Sequence, residues 1–438
     1  VSVRRARVRA AAALAGTVVV PGDKSISHRA LILASLGTGG CTIAGLSRGG
    51  DVRNTARALR ALGVALGPWG SEPLTVAGAG LGGWREPAGV LDFGNSGTGI
   101  RLMAGLLAAH PFFSVLTGDR YLRHRPMRRV AEPLRLMGAR IAGRERGTLA
   151  PLAIEGTLLS GIAYRSPVAS AQVKSSLLLA GLLASGETSV FEPELSRDHT
   201  ERMLRHLGVP VHAHGTTVRL ATASAWPARD LSVPGDPSSA AFLLAAAAIS
   251  PEAEVTVRNV CVNPTRTGFF EVLRAMGARL RVTRRREVCG EPVADLTVAS
   301  SRLRGVDVAP ALVPRMIDEF PILAAVALFA KGTTRITGAA ELRVKESDRI
   351  RTMAAELAKL GGEVRELPDG LEIAGGRPLR GAACASHGDH RVAMSLAVCG
   401  GAIPGETRIA DTACVATSFP EFWDLMRALG ARVAEGAR

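Results

Sequence analysis

A phrase that ends in Leu-Gly or Met-Gly recurs six times along the 438 residues, and its spacing constrains the fold more than any other feature. It reads Arg57-Ala-Leu-Arg-Ala-Leu-Gly63, Glu132-Pro-Leu-Arg-Leu-Met-Gly138, Glu201-Arg-Met-Leu-Arg-His-Leu-Gly208, Glu271-Val-Leu-Arg-Ala-Met-Gly277, Glu356-Leu-Ala-Lys-Leu-Gly361 and Asp424-Leu-Met-Arg-Ala-Leu-Gly430. Successive glycines are 75, 70, 69, 84 and 69 residues apart. Each phrase reads as an amphipathic helix stopped by a glycine at the position that needs positive φ, with a short apolar strand beyond it. Leu-Gly helix stops are common one at a time, but six at near-constant spacing indicate a repeat architecture of about 73 residues per unit.

A second family of helical segments lies out of phase with the first and is almost uncharged: Ala30 to Leu36, Leu102 to Ala109, Ser175 to Ala184, Ala240 to Ile249, Pro321 to Ala330 and Val392 to Val398. Segments apolar all round belong in a core, and these are too short to cross a bilayer. One buried and one amphipathic helix per unit, with strands between, gives a β-α-β-α-β-β reading and an α/β (α+β) fold class. Val20-Pro-Gly-Asp-Lys-Ser-Ile-Ser and Val233-Pro-Gly-Asp-Pro-Ser-Ser look like copies half a chain apart. They suggest two similar halves, with Lys24 in one matched by Pro237 in the other.

Each apolar helix is entered through a polar segment: Gly22 to Arg29, Gly94 to Arg101, Ser170 to Lys174, Gly235 to Ser239, Pro314 to Glu319 and Gly388 to Arg391. Helix N-termini carry free N–H groups and a partial positive charge, so they favour anions, although Ser and Asp there can equally be plain N-caps. Arg120, Arg123, Arg125, Arg128 and Arg129 crowd one loop, and Glu341 to Arg349 interleaves both signs. Helical spacing in the latter predicts Lys345 and Arg349 on one face. The formal charge is +15, yet only five of the 54 basic residues are lysine: Lys24, Lys174, Lys331, Lys345 and Lys359. Three of these (Lys24, Lys174, Lys345) fall in the motifs, which suggests positions needing an ammonium that can transfer a proton.

The six cysteines are scattered, without a Cys-x-x-Cys pair or zinc spacing, so neither a disulfide framework nor a structural metal is expected. Arg4, Arg5, Arg7 and Arg9 precede an Ala-rich stretch without a cleavage region, so the first dozen residues are read as a loose extension of a cytoplasmic, soluble protein. Neither a Walker loop nor a His-Glu-x-x-His motif is present. The residues by themselves describe transfer chemistry on anionic small molecules, with Asp318, Glu346 and Lys24 as acid/base groups.

The motifs Pro-Gly-Asp-Lys-Ser-Ile-Ser-His-Arg29, Asp92-Phe-Gly-Asn-Ser-Gly-Thr-Gly, Ser170-Ala-Gln-Val-Lys-Ser, Met316-Ile-Asp-Glu-Phe-Pro, Glu341-Leu-Arg-Val-Lys-Glu-Ser-Asp-Arg349, Gly388-Asp-His-Arg-Val-Ala-Met and Ala416-Thr-Ser-Phe-Pro-Glu-Phe resemble the EPSP synthase (3-phosphoshikimate 1-carboxyvinyltransferase) family, in order, from about Gly16 to Val433. The resemblance implies the enolpyruvyl transferase fold, an inside-out α/β barrel of two domains with three units each. The domains would comprise residues 1–22 with 235–438, and 23–234, hinged near 20–23 and 233–236. It implies transfer of the enolpyruvyl group of phosphoenolpyruvate to the 5-hydroxyl of shikimate 3-phosphate, in a cytoplasmic monomer with no cofactor, no metal, and no nucleic-acid or membrane partner.

By the same resemblance, Lys24, Ser25, Arg29, Ser170, Ala171, Gln172, Arg197, Asp318 and Lys345 hold shikimate 3-phosphate. Lys24, Asn95, Gly97, Arg125, Gln172, Arg349 and Arg391 hold phosphoenolpyruvate. Asp318 is the implied acceptor of the hydroxyl proton, and Glu346 with Lys24 the implied donors to the methylene carbon. Thr417 stands where many members have Lys, a form that resembles a subgroup including glyphosate-tolerant enzymes. Those tolerant members carry Ala at the position of Gly97, so glyphosate sensitivity is expected here. Two alternatives stand beside this reading: a UDP-N-acetylglucosamine enolpyruvyl transferase, which usually carries a reactive Cys that Phe112 to Val130 lacks, and an RNA-binding, 3′-phosphate cyclase-like protein suggested by the charge.

Overall fold

In a computed structural model, which describes residues 4–437, the chain forms two compact units. One comprises the residues up to Pro21, Pro234–Arg286 and those from Pro292 onward; the other comprises Gly22–Val233 and Glu287–Glu291. The boundary read from sequence put all of 235–438 in one domain, and the structure departs from it at the hairpin tip Glu287–Glu291. Hydrogen bonds explain why: Cys289 Sγ accepts from the Ser232 N–H at 3.3 Å, the Gly290 carbonyl accepts from Arg202 at 3.2 Å, and Glu291 meets His199 Nδ1 at 2.7 Å.

Among the described residues the repeat takes the form of six helix pairs. They are α1 (Lys24–Leu36) and α2 (Gly50–Ala61), α3 (Gly97–Ala108) and α4 (Arg128–Leu136), α5 (Ala171–Gly181) and α6 (His199–His206), α7 (Pro237–Ile249) and α8 (Gly268–Ala275), α9 (Phe320–Ala327) and α10 (Arg349–Lys359), and α11 (His390–Gly400) and α12 (Phe422–Ala428). The first of each pair is buried nearly throughout, while the second buries one stripe. The glycines that end the repeat phrase, Gly63, Gly138, Gly208, Gly277, Gly361 and Gly430, all have φ between 86° and 104°, which is why glycine recurs there.

In the first-described unit α7, α9 and α11 pack on one another; in the other, α3 packs on α1 and α5. Gly105 permits the closest of these approaches, since a Cβ there would lie 2.2 Å from the Ser176 carbonyl oxygen of α5. Full burial of each Leu on such helices contributes roughly 2 kcal/mol, so helices apolar on every side are stable only at the centre.

Among the described residues each unit carries three four-stranded sheets, and their strand order shows that the repeats are closed rather than laid end to end. Leu231–Ser232, at the end of its unit, pairs in parallel with Thr38–Ala44 near the start. Arg4–Arg9 pairs antiparallel with both Glu406–Ala410 and Arg432–Ala437, completing the last repeat, and Ala15–Val19 opens the fourth by pairing in parallel with Glu254–Cys261. The N-terminal segment is therefore not a loose extension: Ala6 and Val8 are fully buried because alternate residues of that strand face the core while its arginines face out. Part of the arginine surplus lies on the edge strand Arg279–Val288, whose exposed charges discourage edge pairing with another chain. No helix is long and apolar enough to cross a membrane among the described residues.

Candidate active site

The site residues expected from the sequence divide between the two units. In the unit holding Gly22–Val233, Lys24 begins α1, and its Nζ lies 3.0 Å from Asp51 Oδ2 on α2. Arg29, one turn on, is buried; it donates to the Ser25 carbonyl at 2.8 Å, to Thr200 Oγ1 at 2.7 Å and to Ser175 Oγ at 2.6 Å. Burial draws the Arg29 pKa down to about 10, with Glu201 and Asp23 opposing and Arg197 adding to the fall, so Arg29 stays charged at neutral pH. Arg197 therefore stands near Arg29, half-buried on the loop before α6.

Two helices of this unit start on a serine cap with no acid in the first turn. Ser96 caps α3, accepting from the Gly99 N–H at 3.0 Å, and Ser170 caps α5, accepting from the Val173 N–H at 3.5 Å. Gln172 joins these ends: its Nε2 donates to Thr98 Oγ1 at 3.0 Å, and Arg101 donates to its Oε1. Arg125 donates to Asn95 Oδ1 at 2.6 Å, with its Nη1 beside the α carbon of Gly97. The result is a cluster of cations and N–H dipoles with Ser170, Ala171 and Gln172 half-buried at its edge, suited to phosphate and carboxylate groups.

In the other unit, buried Arg349 is the hub. Its Nε donates to Asp389 Oδ2 at 2.9 Å, its Nη2 to Glu346 Oε2 at 2.7 Å, and its Nη1 lies 3.6 Å from Asp318 Oδ1. Burial opposes its charge, but Asp389, Glu346 and Asp318 outweigh that and raise its pKa. Arg391 donates to the Asp318 carbonyl at 2.8 Å, with Nε 4.0 Å from Oδ1. Burial lowers the Lys345 pKa, against the pull of Asp318, Glu341 and Glu346. An ammonium eased toward losing its proton, near three carboxylates and the Arg349 guanidinium, can hold an anion and move a proton.

Three expectations change. Lys345 and Arg349 do not share a helix face, because Ala340–Val344 is a 3-10 turn, Lys345 is extended and α10 begins only at Arg349. Asp348, its N-cap, stops the helix from reaching back. The polar segments do not all leave helix ends open to anions: Asp23, Asp236 and Asp389 cap α1, α7 and α11 with their own carboxylates, and Glu319 stands at the N-cap position of α9, leaving the Ser-capped α3 and α5 as the entrances with no acid at the helix end. Lys174 is no proton donor either, being fully buried against Glu192 and Glu201. Sequence reasoning missed the roles of Asp51, Arg101 and Asp389; Arg101 and Asp389 had a signal, their places in Gly94 to Arg101 and in Gly388-Asp-His-Arg391, and Asp51 had none. Thr417 is half-buried at the end of a 3-10 turn, Thr412–Thr417.

The family model for EPSP synthase (3-phosphoshikimate 1-carboxyvinyltransferase) matches residues 8–426. The chain is 56% identical over 413 residues to a 3-phosphoshikimate 1-carboxyvinyltransferase of Synechococcus sp. (strain JA-3-3Ab), covering 93% of each, and 52% identical to that of Geobacter metallireducens, covering 97% of this chain and 99% of the relative. Among solved structures, EPSP synthase from Acinetobacter baumannii superposes with a TM-score of 0.89 at 43% identity, covering 99% of this chain and all of the other. These matches favour neither the UDP-N-acetylglucosamine nor the RNA alternative. With the motifs in order, the six-unit fold and near-complete coverage all in agreement, the chain belongs to the EPSP synthase (3-phosphoshikimate 1-carboxyvinyltransferase) family.

Proposed function

We propose that this chain transfers the enolpyruvyl group of phosphoenolpyruvate to the 5-hydroxyl of shikimate 3-phosphate, releasing phosphate, a step of aromatic amino acid biosynthesis. The observation that carries the reading is the buried Arg349, tied to Asp389, Glu346 and Asp318 beside Arg391. The two substrates bring two phosphates and two carboxylates, so their repulsion calls for this density of cations.

Arg125, Arg349 and Arg391, with Lys24, Asn95, Gly97 and Gln172, take phosphoenolpyruvate. Ser25, Arg29, Ser170, Ala171, Gln172, Arg197 and Lys345, with Lys24 and Asp318, take shikimate 3-phosphate. Asp318 accepts the hydroxyl proton as the oxygen attacks C2 of phosphoenolpyruvate, while Glu346 or Lys24 protonates C3. The tetrahedral intermediate then loses a methyl proton and expels phosphate, re-forming the double bond. Positioning and exclusion of water supply much of the rate, with 20–23 and 233–236 as the hinges. The enzyme works as a cytoplasmic monomer, a compartment supported by six cysteines that are all unbridged.

The test is phosphate release that requires both substrates. Release with phosphoenolpyruvate alone, or none with folded protein, would overturn the reading.

A further inference from the structure

Two segments assigned above to shikimate 3-phosphate rest on one buried carboxylate. Glu192 follows the strand Thr188–Phe191 and is 1% exposed. Its Oε1 accepts from the Ser170 backbone N–H at 3.1 Å, while Oε2 accepts from the Ser196 hydroxyl at 2.9 Å and its N–H at 3.4 Å. Oε2 also lies 2.8 Å from Lys174 Nζ, which is 2.8 Å from Glu201 Oε1. Burial pulls the Lys174 pKa down, but Glu201 and Glu192 outweigh it and hold the ammonium above its ordinary value.

Arg29 extends the network. It donates to Thr200 and Ser175, the neighbours of Glu201 and Lys174, and Thr200 Oγ1 donates to Ser175 Oγ at 2.7 Å. Two buried cations thus face two buried carboxylates across α1, α5, α6 and the loop between Phe191 and His199. A buried ion pair that served folding alone could be replaced by apolar groups without loss. Here the two oxygens of one carboxylate go separately to Ser170 and to Ser196-Arg197, two segments that the proposed function places on shikimate 3-phosphate.

We propose that Glu192, tied by Lys174, is a positioning residue that sets the spacing of Ser170 and Arg197 around the phosphate of shikimate 3-phosphate. The inference rests on the proposed function. Chemistry makes it specific: a carboxylate offers two acceptor oxygens, whereas an amide offers one and turns a donor toward either the Ser170 N–H or the Lys174 ammonium.

The experiment compares wild type with Glu192→Gln by steady-state phosphate release and by titration calorimetry with shikimate 3-phosphate alone. For the variant, the KM and Kd for shikimate 3-phosphate rise at least about tenfold, equivalent to about 1.4 kcal/mol. The KM for phosphoenolpyruvate stays within about twofold and kcat within about threefold, a split that general loosening of the fold would not produce. Equal increases in both KM values, or an unchanged Kd for shikimate 3-phosphate, would overturn the inference. Should Glu192→Gln fail to fold, Ser196→Ala leaves the buried charges intact and releases one segment; a KM for shikimate 3-phosphate unchanged in that variant also overturns it. Wild-type protein that releases no phosphate with both substrates would instead sink the proposed function.

Discussion

Arg349 Nε donates to Asp389 Oδ2 at 2.9 Å, and neither side chain is more than 1% exposed. Asp389 also caps α11 by accepting from the Arg391 N–H at 2.9 Å and takes the Ser347 hydroxyl at 3.1 Å. One carboxylate therefore sets the direction of Arg349 and the start of the helix bearing Arg391. Asp389→Asn keeps one acceptor and loses the charge, leaving Arg349 with Glu346 and Asp318. The expected outcome is a rise of about tenfold in the KM for phosphoenolpyruvate and a loss of about 3 kcal/mol in urea unfolding, the low end for breaking a buried pair.

The same contact fixes an acid limit. Burial would raise the Asp389 pKa, but Arg349 holds it below the ordinary 3.8. A depressed carboxyl contributes stability above its unfolded value that is lost as pH falls through the folded one, so this contribution survives to below about pH 4. Stability measured from pH 5 downward should lose this component only below that point, and Asp389→Asn should lack it.

His28 works at milder pH. Its Nδ1 is 2.8 Å from Thr55 Oγ1, and burial, then Lys24 and Arg29, push its pKa to about 3. Between about 3 and 6.5 the unfolded chain takes a proton that the folded one refuses, so stability falls as pH drops below 6.5. The slope from this group is at most about 1.4 kcal/mol per pH unit. Unfolding at pH 6.5, 5.5 and 4.5 should show wild type losing stability more steeply than His28→Gln; parallel slopes would refute this.

Asp318→Ala removes the proposed base while Arg349 keeps Asp389 and Glu346. A fall in kcat of about 10²–10⁴ is expected, with the Kd for shikimate 3-phosphate changed only a few-fold by calorimetry. Unchanged turnover would remove Asp318 from its role.

A Cβ at Gly97 would lie 3.1 Å from Arg125 Nη1 and 3.2 Å from Arg101 Nη1, close enough to displace both guanidiniums slightly. Gly97→Ala should raise the KM for phosphoenolpyruvate about three- to tenfold and weaken inhibition by glyphosate, with little change in melting temperature. Unaltered inhibition would show that Arg125 does not move.

Much of the candidate site was legible because its residues sit in contiguous motifs. Asp318, Glu346, Arg349 and Arg391 each fall in one, and Arg349 does bring the other three within 4 Å of itself or of one another. Asp51 had no such mark, since its partner Lys24 lies 27 residues away. Lys174 was misread because its motif gives no sign of two glutamates waiting 18 and 27 positions on.

The sequence by itself determined the six-fold repeat, its glycine stops and the alternation of buried with amphipathic helices. These follow from helix periodicity and from a backbone angle that glycine adopts most easily, both properties of neighbouring residues. Only the tertiary structure decided that Arg4–Arg9 completes the last repeat, that Lys345 leaves the helix, and that Glu192, Lys174 and Glu201 meet. Such choices depend on pairing strands hundreds of positions apart and on burying charge only where an opposite charge is available, and neither is written in any local pattern.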